Sequence, residues 1–124
     1  MVVAAEDGVD ELSISARTRV IEVEGGRTAE HFVEPGDFGF AEAELEYVAG
    51  GTPEENAAAS RAVLEGEPGP RRHLVLMNAG AAIFVGGQAE SLGEGVERAT
   101  ETIDSGAAYD LLGRLVAATA ALAG

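Results

Sequence analysis

The chain has 124 residues, with 22 acids against 8 bases, every base an arginine, and a net charge of −14. That length suits one modest domain burying roughly two-thirds of its unfolded surface. The charge disfavours nucleic acid, whose binding needs clustered Lys and Arg, and equally disfavours an anionic membrane. The absence of cysteine excludes disulfides, thiolate zinc sites and a cysteine nucleophile. His31 and His73 are the only imidazoles, so a multi-histidine metal site is not expected. An acid-rich, lysine-free composition suits a salt-loving organism, where salt screens self-repulsion, and equally a GC-rich genome favouring Ala, Gly, Arg and Glu. Met1 to Ala5 runs into acids without the basic start and longer apolar core of a signal peptide. The longest apolar stretch, Leu74 to Val85, is interrupted by Asn78 and too short to span a bilayer. A soluble, cytoplasmic protein is expected.

In chain order, Val2 to Ala5 reads as a short strand buried on both faces. Thr18 to Glu24 is rich in β-branched residues and reads as a second strand. Gly25-Gly26 then signals a two-residue hairpin returning through Thr28 to Val33, and Pro35-Gly36 closes it with a turn. Residues 37 to 51 read as irregular with at most one helical turn. Thr52, Pro53 and Glu55 form a helix start with a capping box, and Gly66 ends that helix. A second helix begins at Pro70, runs to about Val85 and stops at Gly86-Gly87. Its seven large apolar side chains cover nearly its whole circumference, which predicts a central, buried helix. Its small residues Ala79, Gly80, Ala81 and Ala82 would let another element approach closely. Ser91 and Glu94 predict a second capping box, followed by a stripe of Leu92, Val96, Ala99 and Ile103. A final helix runs from about Ala107 to Leu122, with Tyr109, Leu112, Leu115 and Val116 on its apolar side. A doubly buried strand and four helices with little sheet to cover read as the back part of an α/β domain.

Glu6, Asp7, Asp10 and Glu11 crowd four acids into six residues. In a strand, Asp10 and Glu11 would face opposite sides; they converge only in a loop or at a helix start. Open α/β sheets place ligands just beyond the carboxyl ends of their strands. Oxygen-only ligands suit Mg²⁺, which takes one or two carboxylates and keeps several waters. An EF-hand is excluded, because the twelfth positions counted from Asp7 and Asp10 are Thr18 and Ile21 rather than Glu. The rival reading is a solvated acidic turn capping a helix that starts near Asp10, and in so acidic a chain local evidence favours it. His73, beside Arg71 and Arg72, reads as a surface cap rather than a phosphate ligand. Asn78, amid apolar residues, reads as a core amide bonded to backbone.

Four stretches together resemble the C-terminal part of anthranilate phosphoribosyltransferase. They are DGVDELS (7–13), GGTPEENA (50–57), LMNAGAAIFVGG (76–87) and SLGEGVERATETIDSGAA (91–108), in the family's order and spacing. The resemblance implies a nucleoside phosphorylase/phosphoribosyltransferase-like α/β fold, of which residues 1–124 are the C-terminal segment: a strand, a β-hairpin and about four helices. It implies transfer of phosphoribosyl from phosphoribosyl pyrophosphate to anthranilate in tryptophan biosynthesis, by a homodimer in the intact enzyme. The family's Asp-Glu pair, which binds the Mg²⁺ that holds pyrophosphate, falls on Asp10 and Glu11. Glu6 and Asp7 are then outer or solvated acids. Ala4-Ala5 replace the family's usual His-Gly. The family's N-terminal helical domain, glycine-rich phosphate loop and anthranilate pocket have no counterpart in residues 1–124, so this chain alone is expected not to catalyse. Two rivals stand beside it: a non-catalytic acidic protein-binding module on the same fold, and a related phosphoribosyltransferase or pyrimidine-nucleoside phosphorylase.

Overall fold

The hairpin forms where two glycines adjoin. In the computed structural model, which describes residues 1–123, Gly25 and Gly26 take φ of 55° and 76°. Two consecutive left-handed residues make the tight turn whose twist matches paired strands. It joins β2 (Thr18–Glu24) to β3 (Arg27–Val33), in register from Glu24 opposite Arg27 to Thr18 opposite Val33. β1 (Val2–Ala5) pairs antiparallel with the other edge of β2, placing Val3 opposite Val20. The sheet is therefore antiparallel, in the order β1-β2-β3. The expectation of a doubly buried first strand is corrected: β1 is an edge strand, Val2 and Ala4 are exposed, and Val3 is half-buried. With four residues and one partner, β1 has nothing among the described residues to cover its outer face.

Two 3₁₀ turns, Pro35–Phe38 and Leu45–Tyr47, interrupt the region read as irregular. Helix α1 (Pro53–Leu64) starts with the predicted capping box: Thr52 accepts from the Glu55 N–H while Glu55 accepts from the Thr52 N–H. Helices α2 (Pro70–Val85), α3 (Leu92–Asp104) and α4 (Ala107–Ala123) follow. The box foreseen at α3 is half present. Ser91 accepts from the Glu94 N–H, but the Glu94 carboxylate reaches past the cap to the Glu90 N–H.

The core lies in two clusters. Leu12, Ile14, Val20, Val33 and Met77 form one; Val63, Leu76, Val96, Ala99 and Ile103 form the other, and Phe38 and Phe40 pack against both. Helix α2 is central, since Leu76 and Met77 supply a fully buried residue to each cluster. It is not buried all round, because Val75 and Val85 remain exposed. The small-residue stretch does what its composition implies. A Cβ on Gly80 would lie 2.6 Å from the Val96 backbone nitrogen, and one on Gly95 would lie 2.2 Å from the Gly80 carbonyl oxygen. Helices α2 and α3 therefore cross backbone against backbone.

Helix α4 departs from expectation. Tyr109, Leu111, Leu115, Val116 and Leu122 are all exposed, Leu122 at 87%. The total accessible surface is 7755 Å², against about 6,200 Å² for a compact monomer of this mass. The excess, with the exposed apolar side of α4, counts against the acidic-module reading, which requires a surface without an apolar patch. Among the described residues no helix is long and apolar enough to cross a membrane.

Gly95→Ala should lower stability by at least about 1–3 kcal/mol, because the new methyl meets backbone that cannot rotate away. Gly113→Ala on α4, where added atoms meet open space, should instead raise it by up to about 1 kcal/mol. Urea midpoints of the two variants check the contrast.

Candidate metal centre in the β1–β2 loop

Residues 6 to 17 join β1 to β2 without forming a helix, so the helix foreseen near Asp10 is absent. The loop has a buried half and an exposed half. Leu12, Ser13 and Ile14 are completely buried, with Leu12 and Ile14 in the first core cluster, while Asp10 and Glu11 are exposed. The apolar alternation after Glu11 sinks one end of the loop and leaves the acids at the surface.

Backbone and side-chain hydrogen bonds brace it. The Val9 carbonyl accepts from the Ala5 N–H at 3.3 Å, and the Glu6 N–H donates to the Arg17 carbonyl at 3.1 Å. Asp7 is the hub of the near side. One carboxylate oxygen accepts from the Val9 N–H at 3.1 Å and the other from the Ser13 and Ser15 hydroxyls. Burial works to raise the Asp7 pKa, but these bonds outweigh it and hold the carboxyl below its ordinary value. Asp7 is thus exposed yet held by three protein donors. Glu6 forms an exposed ion pair with Arg17 at 2.8 Å, and that guanidinium lies 4.6 Å from the Phe32 ring centroid. On the far side, the Leu12 N–H donates to Asn78 Oδ1 at 2.9 Å, and Asn78 Nδ2 donates to the carbonyls of Leu12 and Leu74, each at 3.0 Å. The core-amide expectation for Asn78 is met, with a partner 66 residues away.

Two of the four clustered acids are thus committed to the protein, and Asp10 and Glu11 are left without a hydrogen bond or ion pair from their side chains among the described residues. Surrounding protein, followed by the charge of Asp10, pushes the Glu11 carboxyl up. The two anions therefore feel each other, which a divalent cation would relieve. The donor set is all hard oxygen and fits Mg²⁺ completed by water or substrate. No group of three or more His, Cys, Asp or Glu converges on a metal position among the described residues. The principal hollows lie elsewhere; the one between α1 and α2 holds about 440 Å³ and is lined by Val63, Leu64, Leu74 and Arg71.

The basic cluster at the start of α2 is engaged internally. Arg71 donates to the Ala49 carbonyl, and Arg72 to the Gly66 carbonyl and to Asp104. His73 is no surface cap. Its ring stacks on Phe40, centroids 4.3 Å apart and planes 7° from parallel. Burial, then the Arg72 charge, lowers its pKa.

The family model described as the glycosyl transferase family a/b domain matches residues 1–109. The chain belongs to that family. Within it, the chain is 50% identical over 115 residues to the anthranilate phosphoribosyltransferase of Symbiobacterium thermophilum, covering 93% of this chain and 34% of that relative. The crystal structure of the Thermus thermophilus anthranilate phosphoribosyltransferase superposes with a TM-score of 0.83 at 44% identity, over 93% of this chain and 34% of that one. The Saccharomyces cerevisiae enzyme in complex with PRPP and Mg superposes with a TM-score of 0.72 at 31% identity, over 84% and 30%. The resemblance to the C-terminal part of anthranilate phosphoribosyltransferase is borne out. The chain spans about a third of the length of the curated relatives it matches.

The His73 shift predicts a pH dependence with a definite sign. Above the unfolded value of about 6.5 the imidazole is neutral in both states and contributes nothing. Below it, the unfolded chain takes up a proton that the folded chain resists, so stability falls until the pH passes the lower folded pKa. His73→Leu should remove that part of the decline, read as a shallower loss of melting temperature than wild type between pH 7 and 5.

Proposed function

We propose that residues 1–124 serve as the C-terminal segment of the α/β domain of an anthranilate phosphoribosyltransferase. The intact enzyme would transfer phosphoribosyl from phosphoribosyl pyrophosphate to anthranilate in tryptophan biosynthesis, in the cytoplasm and as a homodimer. Asp10 and Glu11 are the residues of this chain that would hold Mg²⁺. The observation that carries the reading is their selective release: among the described residues, the other acids of the loop are held by protein partners, and Asp10 and Glu11 present free carboxylates to solvent.

Mg²⁺, when bound, supplies positive charge against the negative charge that grows on departing pyrophosphate. The residues of this chain do the holding. Asp10 and Glu11 offer carboxylate oxygens from adjacent positions; Asp7 and Asn78 keep the loop on either side in place. No side chain here is assigned as nucleophile or base. Cleavage of a ribose C1–O bond passes through an oxocarbenium-like state, and charge placement rather than covalent attack lowers that barrier. The exposed apolar side of α4 supports a role as one part of a larger enzyme, because such a face seeks a protein neighbour.

The test is a chimera in which this chain replaces the matching third of the Symbiobacterium thermophilum relative. Anthranilate consumption should persist in the chimera and fall by roughly 10²-fold or more in its Asp10→Asn and Glu11→Gln forms. The chain alone should consume none. Unchanged turnover in both carboxamide forms sinks the metal assignment, and turnover by the isolated chain sinks the part-enzyme reading.

A further inference from the structure

We propose that Asn78 is the positioning residue of the Asp10–Glu11 pair: its side-chain amide, closed on both backbone groups of Leu12, sets where the two carboxylates face. The inference rests on the reading that these two residues hold a divalent cation.

The geometry leaves the pair little freedom of its own. On the entering side, the peptide joining Val9 to Asp10 is held through its carbonyl, which accepts from the Ala5 N–H. The peptide before it is held through the Val9 N–H, which donates to Asp7. On the leaving side, the peptide joining Glu11 to Leu12 is held through its N–H, which donates to Asn78 Oδ1, and the next peptide through its carbonyl, which accepts from Asn78 Nδ2. Only the peptide between Asp10 and Glu11 lies unanchored. The two residues form a short bridge between fixed planes, and the direction of each side chain follows from those planes.

Asn78 is itself immobilised. Its Nδ2 also donates to the Leu74 carbonyl on its own helix. Its neighbour Met77 is completely buried, and Gly80 lies in backbone contact with α3. Rigid α2 therefore transmits its position to a surface loop through one amide. An amide is the side chain that can both donate and accept in one plane, matching the two groups Leu12 presents; a carboxylate of the same shape only accepts. The Asp7 network reaches across the loop to the Ser13 and Ser15 hydroxyls, and the Ser13 N–H donates to Thr18 Oγ1 at 3.0 Å, but neither touches the Glu11–Leu12 peptide, which among the described residues is held by Asn78.

The experiment uses the full chain, with Mn²⁺ as the probe, free ion read by electron paramagnetic resonance at fixed ionic strength, and Mg²⁺ as competitor. The Asp10→Asn/Glu11→Gln double variant supplies the background expected of so acidic a surface. Asn78→Leu should weaken Mn²⁺ binding above that background by about 10–100-fold. Asn78→Asp, which keeps the shape and the acceptor but loses both donated bonds, should also fall below wild type. Ile103→Val, in the other core cluster, lowers stability without touching the loop and should keep wild-type affinity. No Mn²⁺ above background in wild type overturns the metal reading and this proposal with it. Wild-type affinity in both Asn78 variants overturns the proposal alone, as does an equal loss in Ile103→Val. Failure of both Asn78 variants to fold also overturns it, since the residue is then required by the fold rather than by the loop.

Discussion

One amide clasped to one residue's backbone ties the helical layer to the loop that carries the candidate chemistry. Asn78 satisfies the N–H and the carbonyl of fully buried Leu12, two groups that would otherwise be costly to hide from water. Once those bonds form, Leu12 and Ile14 can enter the core beside Met77 and Val20, and the acids just before them are carried to the surface. The same requirement that satisfies the interior also aims the exterior.

The helices supply the rigidity that this arrangement needs. Gly80 and Gly95 let α2 and α3 meet without side chains between them, and Arg72 ties the start of α2 to Asp104 at the end of α3 at 2.7 Å. Phe38 and Phe40 bridge the two core clusters, and the stacked ring of His73 extends that bridge. By contrast α4 and β1 sit at the margins with apolar surface uncovered. The chain is well packed at its centre, which holds the loop, and open at its edges, and it spans about a third of its relatives' length.

Charge is distributed with the same asymmetry. Four acids within six residues would repel if all faced solvent together. Asp7 accepts from two hydroxyls and an N–H, and Glu6 pairs with Arg17, leaving the neighbouring pair Asp10 and Glu11 to share one repulsion. A composition this acidic made a solvated turn the simpler reading. What separates the acids is their partners, Ser13, Ser15 and Arg17, all within eleven residues of the acid they bind and visible in the sequence as residue types but not as contacts.

Local chemistry decided much of the fold from the sequence alone: the Gly25-Gly26 turn, the Thr52–Glu55 box, the glycine stops and the four helices depend on neighbouring residues, so their signals lie close together in the chain. The family likeness was legible for the same reason, carried by short ordered motifs. Tertiary structure decided what depends on distant partners. It made β1 an edge strand, left α4 uncovered, buried one side of α2, and joined Asn78 to a backbone 66 residues away. Burial and hydrogen-bond pairing across the chain are properties of what packs against a residue, and apolar periodicity states only that a face seeks cover, not whether it finds it.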